Sequence, residues 1–60
     1  MKEITIKTQK AFDKLPKEFN EYSIIYIESK DTVVVTNREN CRIVARENSS
    51  VEARGNSSVV

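Results

Sequence analysis

Ten lysines and arginines, nine aspartates and glutamates and no histidine bound the chemistry this chain can attempt. Without an imidazole, neither a Ser–His nor a Cys–His nucleophilic pair can be assembled. Cys41 is the only cysteine, so it has no partner for an internal disulfide and offers a metal one soft ligand. Strand alternation puts Cys41 on an inward face, where a thiol serves as a small hydrophobe. Asp31, Glu39 and Glu47 could gather round a hard cation. Each, however, directly follows a basic residue (Lys30, Arg38, Arg46), and ion pairing is the cheaper use of the carboxylates. The chain therefore reads as non-enzymatic, with no catalytic, cofactor-binding or metal-ligating residue expected, no cofactor and no small-molecule ligand.

The basic residues are the sharper candidates. Lys30, Arg38, Arg46 and Arg54 recur at a step of eight, and Arg42 takes an outward strand position among them. If alternate units share a face, Lys30 stacks with Arg46 and Arg38 with Arg54. A nucleic acid or anionic glycan could follow such an edge. The neighbouring acidic column and a net charge of +1 oppose that field. Solvated turn charges that neutralise one another are the leading reading, and polyanion binding is the alternative.

These positions depend on the elements that carry them. Ile4 and Ile6 alternate with polar residues, as in a short half-buried strand. Ala11, Phe12, Leu15 and Phe19 follow on one helical face, with Thr8 as N-cap. Pro16 removes an N–H and biases Leu15 away from helical backbone, so the helix is expected over residues 9–15, with a second turn started by Pro16. From Tyr22 the apolar period is two. Ile27, Val35, Ile43, Val51 and Val59 then fall eight apart, a ladder of β-branched residues. The column two earlier runs Ile25, Val33, Cys41, Ser49, Ser57. Thr32, Asn40, Asn48 and Asn56 occupy turns, where Asn tolerates left-handed backbone. The ladder thus explains the two Asn-Ser-Ser triplets without glycans.

This pattern predicts a mainly β fold with one short helix in one domain, residues 1–60. A strand–helix cap (1–24) precedes an eight-residue β repeat (25–60) that coils as a β-solenoid. An antiparallel meander is the alternative. Phe12, Leu15 and Phe19 would lie on the first coil against Ile25 and Ile27, while the far end stays open. A chain of 60 residues buries only about 60% of the surface its unfolded form exposes, so stability is marginal unless something extends it.

The tail "ARENSSVEARGNSSVV" resembles the tandem octapeptide arrays of uncharacterised bacterial and prophage proteins, in which "NSSVEARG" units continue many times. The resemblance covers roughly residues 40–60 and implies a β-solenoid with no established activity. It also implies that the chain is the start of a longer array. The layout is similar, more distantly, to the calcium-binding nonapeptide β-rolls, but their Gly-Gly-x-Gly-x-Asp pattern is missing and calcium does not carry over.

The functional expectation is a structural or interaction module that self-associates through its last strand edge or stacks on further repeats. No signal peptide or membrane span is read in the sequence, which makes the cytoplasm the default location.

Overall fold

The computed structural model describes residues 1–46 and 49–54. Strand β1 (Lys2–Ile6) leads into helix α1 (Gln9–Asp13), and the strands β2 (Glu18–Ile27), β3 (Val33–Val35), β4 (Glu39–Ala45) and β5 (Val51–Ala53) follow. The fold is mainly β with one short helix, as expected. Two open sheets form, one in the order β1-β2-β4 and one of β3 with β5.

All three pairings are parallel. That overturns the antiparallel meander, because hairpin turns join antiparallel neighbours only. From β2 onward the chain visits the two sheets alternately: β2 and β4 share one, β3 and β5 the other.

Thr8 caps α1 as expected, its Oγ1 accepting the Ala11 N–H at 3.0 Å. The helix stops at Asp13 rather than Leu15, and no second turn follows. Pro16 accounts for the stop through its effect on Leu15. Phe19, expected on the helical face, instead lies in β2 and is buried there.

Register differs from the expected ladder. Two octapeptides per coil would set Ile27 beside Ile43 and Val35 beside Val51. Instead Ile25 pairs with Ile43 and Ile27 with Ala45, while Val33 pairs with Val51 and Val35 with Ala53, a step of 18 residues throughout. Between β1 and β2 the step is 21, from Lys2 to Ser23. Unequal connections explain the departure: residues 28–32 join β2 to β3, but only residues 36–38 join β3 to β4. Asn40 adds a bulge, with left-handed backbone at φ 61° and a side-chain amide that donates to the Phe19 carbonyl at 2.9 Å. Residues 19–22 of β2 bow out opposite it.

The core gathers Ile6, Phe12, Phe19, Ile25, Ile27, Val33, Val35 and Ile43, with Ile4, Ala11, Leu15, Cys41 and Val51 packed partly against it. Ile25, Ile27, Val33 and Val35 are wholly inaccessible. Burying each contributes about 1.5–3 kcal/mol, and this stabilises a strand pattern that local propensity alone would leave marginal. Among the described residues no helix is long and apolar enough to cross a membrane.

Candidate functional site

Two sets of groups are candidates: the basic side chains and the strand edges. The basic residues do not make one continuous column. Arg46 aligns with Glu28, not Lys30, because its N–H continues the β2–β4 ladder to the Ile27 carbonyl at 3.0 Å. Its Nη1 lies 3.3 Å from Glu28 Oε2, and its guanidinium sits 3.5 Å from the centre of the Tyr26 ring. The Tyr26 hydroxyl donates to Glu3 Oε1 at 2.8 Å. Glu3, Tyr26 and Arg46 thereby tie β1, β2 and the end of β4 together on the outer face. The Glu3 hydrogen bond is the main cause holding the Tyr26 pKa above the usual phenol value, with partial desolvation adding to it.

Arg38 turns inward instead. Its guanidinium stands 4.6 Å from the Phe12 ring centre, and Nη1 donates to Thr36 Oγ1 at 2.7 Å and to the Asn37 carbonyl at 3.2 Å. Nε is buried with no hydrogen-bond partner among the described residues. The side chain thus covers the helix–sheet junction, its planar charge resting on an aromatic face. Arg54 approaches Glu52 Oε1 at 3.2 Å. Lys30 is exposed in the β2–β3 connection, and Arg42 is exposed on β4 beside Ile24. The carboxylates that meet Arg46 and Arg54 are therefore the strand-borne Glu28 and Glu52 rather than Asp31 and Glu39. Glu47 lies outside the described residues.

Of the expected hydrophobic ladder, Ile27, Val35 and Ile43 are buried and Val51 is half-buried. Val59, Asn48 and Asn56 lie outside the described residues. Cys41 is a free, half-buried thiol. Burial pushes its pKa up, against a smaller opposing pull from Arg38. A neutral, partly packed thiol is a poor nucleophile. Among the described residues no three His, Cys, Asp or Glu side chains gather as metal ligands. A cavity of about 330 Å³ opens beside β1, lined in part by Ile4, Leu15, Phe19 and Ser23. Ser23 is buried and its hydroxyl is committed to the Glu21 carbonyl at 2.9 Å, so it offers no obvious nucleophile there.

The edges are more distinctive. Among the described residues β4 and β5 have no strand on their outer sides, and β1 has none on its own. The outer edge of β3 differs. Gln9 Nε2 donates to the Val34 carbonyl at 2.9 Å, and Gln9 Oε1 accepts the Val34 N–H at 2.6 Å. Sequence reasoning missed this contact, since nothing in the spacing of Gln9 and Val34 announces it. It also missed Ser49, whose hydroxyl donates to the Ile27 carbonyl at 2.8 Å and accepts the Ser29 N–H at 3.0 Å. That bond knits one connection to the next. A small polar residue at the edge of an apolar column was the available signal.

Comparison with protein-family models, curated proteins and solved structures finds no match for this chain.

Proposed function

We propose that this chain is a structural and interaction module without enzymatic activity: the capped start of an octapeptide-repeat β-solenoid. Its outer strand edge stacks on further repeats or on another copy of the chain. The observation that carries the reading is the alternation of parallel strands between two sheets, with Ile25 beside Ile43 and Val33 beside Val51. A chain that returns to the same sheet in the same direction can add another turn by repeating the step, and each turn buries the edge left by the last. The tail's likeness to the bacterial and prophage octapeptide arrays supports the same conclusion. A free cysteine thiol suits the cytoplasm, where we place the module.

Polyanion binding has less support. Arg38 rests on Phe12, while Arg46 and Arg54 are engaged with Glu28 and Glu52, which leaves no uninterrupted basic stripe.

Light scattering over a concentration series tests self-association. Dimers or larger species are expected, and a strictly monomeric chain at high concentration would remove that part of the proposal. Appending sixteen residues of the same octapeptide pattern tests the stacking of repeats, and should raise the thermal midpoint. An unchanged midpoint would mean that the added units do not join the sheets.

A further inference from the structure

A carboxamide carries the same donor and acceptor as a peptide group. Gln9 uses both on Val34, the middle residue of β3, so its side chain occupies the place of a neighbouring strand. Helix α1 is held there by Phe12, which is 1% exposed and lies beneath Arg38. On its other side β3 pairs with β5 in parallel. A second copy docking its β5 on the outer edge of β3 would repeat a pairing the molecule already makes. Only α1 and Gln9 stand in that place.

We infer that α1, pinned by the Gln9–Val34 bonds, is a stopper that prevents head-to-tail addition of a second copy of this chain at β3. This rests on the edge reading given under Proposed function and adds a direction to it. With β3 closed, two copies meet through like edges, β4 and β5 of one against those of the other. Such a two-fold contact is self-complementary and ends at two, whereas β5-on-β3 docking repeats without limit. The same device keeps a bare three-residue strand from templating fibres.

The test uses the full chain, with Gln9→Ala and the double variant Gln9→Ala/Phe12→Ala beside the wild type. Sedimentation velocity and hydrogen exchange are the readouts. The wild type should stop at two copies. The variants should form elongated species whose mean mass keeps climbing with concentration, and the Val34 amide should exchange about tenfold faster or more. A folded double variant with the wild-type mass distribution would overturn the stopper, as would a wild type that grows past two copies. If the double variant does not fold, Gln9→Ala decides on the same terms. A wild type that stays monomeric while the variants polymerise would keep the stopper and remove like-edge pairing.

Discussion

The Arg46 guanidinium lies 3.5 Å from the centre of the Tyr26 ring, whose hydroxyl donates to Glu3. Three segments far apart in the chain thus meet on one outer face. Arg46→Glu removes the stacking and sets a second carboxylate beside Glu28. Because the pair is largely exposed, we expect a loss of only about 0.5–1 kcal/mol in urea denaturation. A loss of several kcal/mol would mean that Arg46 does more than these contacts describe.

The same cluster makes stability depend on alkaline pH. The Tyr26 pKa is raised in the folded chain, chiefly by the Glu3 hydrogen bond. Its contribution is therefore complete below the unfolded phenol value of about 10 and disappears as pH rises through the higher folded value. Thermal midpoints from pH 8 to 11 should fall more steeply for the wild type than for Tyr26→Phe. Parallel curves would show that the phenol is not coupled to folding.

Facing in β5 is testable with two neighbours. Val51 packs partly on the core beside the inaccessible Val33, while Glu52 is exposed. Val51→Asp should cost about 2–3 kcal/mol, since a carboxylate would enter apolar surroundings. Glu52→Lys gives up one exposed ion pair with Arg54 and should cost under about 0.5 kcal/mol. Similar losses for the two variants in denaturant titrations would refute the assignment.

Asn40 offers a backbone test. At φ 61° a β-branched residue is strained, whereas glycine is not. Asn40→Val should destabilise by about 1–2 kcal/mol more than Asn40→Gly, both variants losing the bond to the Phe19 carbonyl equally. Chemical denaturation of the two would show the gap, and its absence would move the bulge elsewhere.

Cys41 should alkylate slowly at neutral pH, because burial keeps its thiol protonated. Iodoacetamide labelling with and without denaturant measures this. A native rate equal to the unfolded one would contradict the packing.

Much of the inward face was legible in the sequence. Alternation singled out Ile25, Ile27, Val33, Val35 and Ile43, and all five are buried. Thr8 announced its helix cap. Partner choice was not legible, because a step of eight presupposes connections of equal length and these are unequal. Phe19 was misread because Ala11, Phe12, Leu15 and Phe19 fit one helical face, while strand pairing around Pro16 overrode that periodicity. The basic column also misled. Sequence spacing identifies which charges recur, but their partners are set by the 18-residue register that places Arg46 opposite Glu28.

The alternation of strands between two sheets has an arithmetical consequence: parity. Adding one octapeptide after β4 would send every later strand to the opposite sheet, while adding two would return each to its own side. Lengthening by even numbers therefore preserves whatever the last turn presents, and lengthening by odd numbers presents its mirror-side counterpart. Descendants of such a module could be sorted into two classes by counting repeats alone.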